Sequence, residues 1–250
     1  MLDIIVNHRS IRNFKADKVP ETVLRDILTA GIRASTTGNM QVYSIIVTQD
    51  RQGKEKLWEL HFKQQMVLHA PLVLTFCADF NRFNIWCRQR KADPGYDNFL
   101  SFMTAAIDAL LVAQNCALAA ESFGLGICYL GTTTYNADKI IEVLELPNAV
   151  VPITTLVVGY PSDSPDLTDR LPLEAVVHTE KYKNYEPKDI NFLYGEKDSS
   201  ELTARLLKEN NLETLAQIFT EKRYTRKDNV NFSQKLLEVI EKQGFMKNRL

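Results

Sequence analysis

The stretch DNFLSFMTAAIDALLVAQNCALAAESF, residues 97–123, decides how the rest of the chain is read. Alanines at 105, 106, 109, 113, 117, 119 and 120 spread around a helical circumference, alongside Leu110, Leu111, Val112 and Leu118. At 1.5 Å per residue such a helix runs about 40 Å. A helix apolar on most sides packs on several neighbours at once, so this one is central. Its apolar faces exceed what one small core covers, which points to a second copy of the chain. The uncharged stretch 109–120 is interrupted by Gln114 and Asn115 and falls short of a membrane span.

Outward from this helix the signals alternate. Pro20 opens a helix over 20–33, with Val23, Leu24, Ile27, Leu28 and Ile32 on one face. The β-branched runs 43–48 and 72–78 predict buried strands, with a helix over 54–68 between them. Downstream come a strand over 127–130, a helix over 137–145 capped by Asn136, and a strand over 150–158 ended by Gly159-Tyr160-Pro161. Alternation alone implies an α/β layered core. Beyond Pro161 the prolines 165, 172 and 187 and weak periodicity predict an extended excursion to about 200, then helices over 200–219 and 232–243. The expectation is one domain over 1–250, with a core of about 1–160 and a wrapping segment of about 161–250.

Composition narrows the class. A net charge of -1 gives no global field to recruit nucleic acid or a membrane surface. The four histidines, at 8, 61, 69 and 178, show no metal-ligand spacing, and no metal is expected. Cys77, Cys87, Cys116 and Cys128 are too far apart for a CxxC motif and read as buried thiols in a reducing compartment. The start Met1-Leu2-Asp3-Ile4 lacks the basic and apolar runs of a signal peptide, so a cytoplasmic location is the default.

Several short stretches carry chemistry. His8-Arg9-Ser10-Ile11-Arg12 packs two arginines, a histidine and a serine together, the donors a phosphate dianion wants; a solvated turn is the plainer reading. Ser35-Thr36-Thr37-Gly38-Asn39-Met40-Gln41 is ordinary loop chemistry, and also what a ribityl chain and an amide-edged heterocycle need. Gly126 and Gly131 have P-loop spacing, but Thr132 stands where the lysine must be, and Tyr129 spoils a GxGxxG begun at Gly124. Helix-capping glycines before a strand suit this stretch better. Arg170 is a lone loop arginine, and the basic run 221–227 is either a solvated loop or a phosphate contact.

The order of these pieces is what is specific. His8-Arg9-Ser10-Ile11-Arg12, Thr37-Gly38-Asn39-Met40-Gln41, Cys77-Ala78-Asp79-Phe80-Asn81-Arg82, Ala119-Ala120-Glu121-Ser122 with Gly124-Leu125-Gly126 and Tyr129-x-Gly131, Gly159-Tyr160-Pro161 and Arg170-Leu171-Pro172 follow one another. The chain thereby resembles the nitroreductase family over about residues 3–182, in particular its NADPH-dependent branch of oxygen-insensitive nitroreductases and flavin reductase P. The resemblance implies an α+β, three-layer fold whose central sheet is mostly antiparallel, against the parallel sheet that alternation suggests. It implies a homodimer whose C-terminal segments embrace the partner, with FMN at the interface. His8, Arg9, Ser10, Arg12 and Arg170 fall on its phosphate and ribityl positions, Thr37, Asn39 and Gln41 on the flavin-edge loop, and Tyr129, Leu130 and Gly131 on the segment against the ring. Gln65 matches a glutamine that contacts the ring, with Gln64 as the competing register. Arg223 and Arg226 lie where the branch binds the phosphate of NADPH. The chain departs from the branch at Thr168, where a lysine is usual, and in a 36–41 loop one residue shorter.

The implied activity is two-electron, ping-pong transfer of hydride from NADPH or NADH through FMN to a nitroaromatic, quinone or flavin, with no side chain needed as acid or base. An FMN-binding store or sensor without turnover needs the same phosphate clamp. NADPH consumption with a quinone separates the two.

Overall fold

The computed structural model describes residues 2–247; Met1 and residues 248–250 lie outside this description. The chain forms two compact units, one built from residues up to Asp166 together with those from Phe232 onward, the other from residues 167–231.

The first unit is organised by α6 (Phe99–Ser122), whose start is capped by Asn98, its side chain accepting from the Ser101 N–H at 3.0 Å. One face of α6 meets α2 (Glu21–Gly31) and the sheet. That sheet has four strands, β1 (Tyr43–Thr48), β2 (Leu72–Asp79), β3 (Gly126–Leu130) and β4 (Val150–Gly159), in the order β1-β2-β4-β3. Every neighbouring pair is antiparallel, so the parallel sheet suggested by alternation is corrected. A strand buried on both faces, as β2 is throughout, reads alike in either kind of sheet.

Side-chain period two divides the core into layers. Leu72, Leu74, Phe76, Ile127, Leu156 and Val158 pack with Leu24, Ile27 and the alanines of α6. Val73, Cys128, Leu130 and Val157 point the other way, onto α3 (Arg51–Leu60), α4 (Met66–His69) and α7 (Ala137–Val143). Three layers, helix–sheet–helix, result. A third cluster joins Phe80, just before α5 (Asn81–Gln89), with Phe102, Val239, Ile240 and Phe245, the last three contributed by or just after α11 (Arg226–Lys242). A short α1 (Leu2–Val6) precedes all of these and buries none of its residues.

Helix boundaries differ from expectation where the backbone turns left-handed. The helix expected over 54–68 breaks at Phe62 and Lys63, with φ of 52° and 56°, leaving α3 and α4. Asn136 occupies the N-cap position of α7 but makes no side-chain capping bond; its amide donates to the Leu60 carbonyl at 2.6 Å instead. In the second unit the excursion contains α8 (Pro187–Asp198), started by a Glu186/Asp189 capping box, which weak hydrophobic patterning concealed. The helix expected over 200–219 is α9 (Glu201–Asn210) followed by α10 (Leu215–Gln217), because Asn211 is left-handed and Thr214 caps a new start. The last helix begins at Arg226, six residues earlier than periodicity suggested.

One close approach in the first unit fixes the path of the N-terminal segment. A Cβ on Gly126 would lie 2.5 Å from Ile11 Cγ1, so residues 10–14 dock on β3 only because position 126 has no side chain. Overpacking of this kind costs about 1–3 kcal/mol. Gly126→Ala is expected to lose that much stability in urea unfolding; an unchanged midpoint would show that the segment is not seated there.

Candidate functional site

β3 is an edge strand, and the N-terminal segment occupies its free side. The Ile11 N–H donates to the Ile127 carbonyl at 2.8 Å, and Ser10 pairs with Ile127 in a parallel bridge. The Lys15 N–H donates to the Tyr160 carbonyl at 2.8 Å and the Ser162 N–H to the Asn13 carbonyl at 3.0 Å, extending the seat past the end of β4. His8, Arg9, Ser10 and Arg12 are thereby gathered in one place. His8 Nδ1 lies 2.6 Å from Glu121 Oε1 near the end of α6. Among the described residues Arg9 reaches only the Ser164 hydroxyl, at 3.4 Å, and its Nε is buried with no partner. An unpartnered buried donor costs about 1–3 kcal/mol. Arg12 is exposed and makes no hydrogen bond or ion pair among the described residues. Burial raises the Cys128 thiol, an effect the nearby Arg12 charge and the Ser10 hydroxyl oppose. Two guanidinium groups with free donors beside a serine suit an oxyanion, and the orphaned Arg9 Nε is the observation that a phosphate would satisfy.

The 36–41 loop is a second, separate patch. Gly38, Asn39 and Gln41 have φ of 56°, 55° and 54°, a conformation glutamine rarely takes. Asp108, fully buried in α6, holds both ends: its Oδ1 accepts from the Thr37 N–H at 3.0 Å and its Oδ2 from the Val42 N–H at 3.4 Å. Arg82 Nη2 donates to the carbonyls of Gln41, at 2.5 Å, and Tyr43, at 3.1 Å. Hydrogen bonds to a charged partner are worth about 1.5–3 kcal/mol each, enough to maintain strained backbone. Thr37, Asn39 and Gln41 present exposed side chains.

The third patch joins the end of β3 to the turn after α3. Tyr129 is half-buried and donates to Gln114 at 3.3 Å; burial raises its phenol, helped by Cys116 and Glu121. Leu130 is buried, whereas Gly131 has open space where a side chain would be. Gln64 turns toward Thr132, at 3.4 Å, while Gln65 is exposed and donates only to the Lys63 carbonyl, at 3.4 Å. His61 is fully buried, with Nδ1 at 2.7 Å from the Thr132 hydroxyl and Nε2 unpartnered. Desolvation lowers its pKa to about 4.

Arg170, Arg223 and Arg226 lie in the other unit. Arg170 Nη1 donates to the Thr168 carbonyl at 3.2 Å, the Thr168 hydroxyl at 2.8 Å and the Asp169 carbonyl at 2.9 Å. The run 221–227 is not a plain loop: it passes from a π-turn, Ile218–Arg223, into the first turn of α11. The Arg223 guanidinium sits over the Phe219 ring, 5.5 Å from its centroid.

Asp108, Arg82, Glu121 and His61 make the supporting contacts; the sequence places Arg82 and Glu121 in motifs and His61 among the histidines but assigns none of the four a site role. Asp108 had a signal, being the one charge between Asp97 and Glu121. Such a carboxylate is buried only against donors.

Fold and site together define a three-layer α+β protein with an arginine-bearing N-terminal segment docked on its edge strand. A family profile described as Nitroreductase family matches residues 5–160. A Bacillus subtilis (strain 168) protein named FMN reductase [NAD(P)H] is 33% identical over 258 residues, covering 96% of each chain. Another from that strain, FMN reductase (NADPH), is 37% identical over 183 residues, covering 72% of this chain and 74% of its own. A crystal structure from Bacteroides fragilis NCTC 9343 superposes with a TM-score of 0.96 at 51% identity, covering 98% of this chain and 100% of that one. The chain belongs to the nitroreductase family.

His61 gives a stability signature. Its pKa falls from 6.5 to about 4 on folding, so the unfolded chain takes up the proton first as pH drops. The stability at stake is intact above about pH 6.5 and is lost progressively as pH falls toward 4, on the order of 3 kcal/mol in all. In His61→Asn the difference in unfolding free energy between pH 7 and pH 4.5 should shrink; an equal difference in both proteins would contradict this.

Proposed function

We propose that this chain is an FMN-dependent NAD(P)H oxidoreductase working as a homodimer. The observation that carries the reading is the docked segment His8–Arg12, where a buried Arg9 Nε and an unpaired Arg12 stand ready for an anion in a chain whose relatives are named FMN reductases. His8, Arg9, Ser10 and Arg12 would hold the phosphate and the start of the ribityl chain; Arg170, in the other unit, is a further phosphate candidate by the resemblance alone. Gln65, Tyr129, Leu130 and Gly131 would meet the ring, Gly131 by leaving its backbone open to close approach. Thr37, Asn39 and Gln41 would offer a hydroxyl and two amides to the polar edge of the ring.

The dimer is supported by α6. Phe99, Leu100, Met103, Ile107, Leu110 and Leu111 form an exposed stripe on the helix whose other side is core. Asp108 and Glu121, which anchor the 36–41 loop and His8, stand about 20 Å apart along that helix at 1.5 Å per residue. A two-fold axis on the stripe would let the loop of one protomer complete the clamp of its partner.

FMN, when bound, supplies the hydride acceptor and the two-electron donor. The chain's own part is to bind, orient and exclude water, and none of its side chains is assigned proton transfer. NAD(P)H and the acceptor, a nitroaromatic, quinone or flavin, would occupy one place in turn, giving ping-pong kinetics. Arg223 and Arg226, which form no ion pair among the described residues, would favour NADPH by meeting its 2′-phosphate. Four buried free thiols suit a reducing, cytoplasmic setting.

The test is to mix the purified, flavin-loaded protein with NADPH without oxygen, then add a quinone. Bleaching of the yellow colour and its return on adding quinone are expected, with Arg12→Ala binding FMN about ten- to a hundredfold more weakly. Colour that persists in NADPH would indicate a flavin store without turnover, and wild-type FMN affinity in Arg12→Ala would remove the clamp.

A further inference from the structure

Beside the third patch lie three aromatic rings that neither the core nor the clamp uses. Tyr135 and Phe232 stack with centroids 4.2 Å apart and planes 9° from parallel. Phe62 leans on both, at 6.4 Å from Tyr135 and 6.3 Å from Phe232, and is 53% exposed. They come from three separate stretches: the turn after α3, the turn after β3, and α11.

Phe62 does not reach this position by default. It and Lys63 hold positive φ, a conformation bulky L-residues avoid and one that gathers at ligand sites. The Lys63 N–H donates to the Trp58 carbonyl at 2.9 Å, and His61 anchors the turn from inside through Thr132. The chain thus places a phenylalanine outward where a continued helix would have carried the backbone elsewhere. The same turn carries Gln64 and Gln65, and Tyr135 follows four residues after Gly131, so two of the three rings come from the same stretches of chain as the residues proposed to meet the flavin.

The surroundings specify what would sit there. Lys235 Nζ lies 5.9 Å from the Phe232 centroid and has no acidic partner among the described residues. Lys63 is unavailable, being paired with Glu59 at 3.4 Å and lying over Trp58. The Tyr135 hydroxyl makes no hydrogen bond among the described residues. Phe62 is the exposed ring, backed by the half-buried Tyr135–Phe232 stack; an exposed ring accepts a planar heterocycle by stacking, an adjacent lysine accepts a phosphate as a point charge, and a free hydroxyl accepts a polar ring edge.

We infer that Phe62, Tyr135, Phe232 and Lys235 form a seat for a planar heteroaromatic ring that carries a phosphate. This rests on the reading of the chain as a flavin oxidoreductase, which supplies two such molecules: the phosphorylated dinucleotide that donates hydride, and free FMN acting as acceptor. An uncharged nitroaromatic lacks the group that Lys235 would hold.

Binding, rather than turnover, tests the seat independently of the activity. The flavin-loaded protein is titrated calorimetrically with NADP+ and, separately, with free FMN, as wild type, Phe62→Ala, Phe62→Trp and Lys235→Met. At least one of the two probes should bind wild type, about tenfold more weakly in Phe62→Ala, the loss that one stacked aromatic contact supports, and severalfold more weakly in Lys235→Met. Phe62→Trp should restore binding. Loss with NADP+ alone assigns the seat to the dinucleotide, loss with FMN alone assigns it to the acceptor, and loss with both assigns it to the two in turn. Neither probe binding wild type, or both unaffected by Phe62→Ala, overturns the seat. So does a shift of Phe62→Ala to monomer in sedimentation with unchanged affinities, which would make the rings a contact between copies. A wild type that binds a probe here yet fails to oxidise NADPH would instead remove the oxidoreductase reading and leave the seat standing.

Discussion

Residues 10–14 lie against an edge strand at a place where nothing larger than a hydrogen atom fits at position 126. Nearly everything proposed about the site depends on that contact. It turns a run of arginines, a histidine and a serine from a flexible N-terminal stretch into a ribbon of fixed register, tied through the Ile11 N–H and the Ile127 carbonyl. It covers the free edge of β3, which would otherwise offer unpaired backbone groups to another chain. It also brings His8 to Glu121, so one end of α6 orients the clamp while its middle, through Asp108, holds the 36–41 loop.

One helix therefore serves three purposes that make different demands on its sequence. Small residues on its inner face, Ala105, Ala109, Ala113 and Ala117 among them, let sheet and neighbouring helices come close. Its outer face keeps large apolar side chains exposed, the stripe proposed above as the dimer surface. Asp108 interrupts this apolar character, and burying a carboxylate is tolerated only because two backbone N–H groups meet it. The return is a loop with three left-handed residues held in one shape, the preorganisation a cofactor site needs.

Much of this was legible in the residues. The strands at 43–48, 72–78, 127–130 and 150–158 lie within a residue of their observed limits, because β-branched runs between turn residues have few other uses. Strand direction was not legible from pattern, since a doubly buried strand looks the same in parallel and antiparallel sheets, and only the family resemblance pointed to the antiparallel arrangement. Helix ends were missed wherever a non-glycine residue adopts positive φ, as at Phe62, Lys63 and Asn211, because periodicity runs straight through such points. The residues proposed as the clamp stand out by charge and hydroxyl content, although composition alone reads equally as a solvated turn. Their anchors Glu121 and Asp108 could not be assigned partners, since both contacts join residues more than sixty positions apart.

The clamp is the centre of the functional reading, and comparing FMN with riboflavin probes it most directly, because the two differ only by the phosphate. Equilibrium affinities of the flavin-free protein for both should be measured in wild type and in Arg9→Ala. A phosphate held by His8, Arg9, Ser10 and Arg12 requires FMN to bind wild type at least about a hundredfold more tightly, since two charge-assisted contacts of roughly 1.5 kcal/mol each already reach that ratio. Removing the Arg9 guanidinium should cut that preference by about tenfold or more and leave riboflavin binding nearly unchanged. Equal affinity of wild type for the two flavins, or a preference indifferent to Arg9, would place the phosphate elsewhere and contradict the clamp.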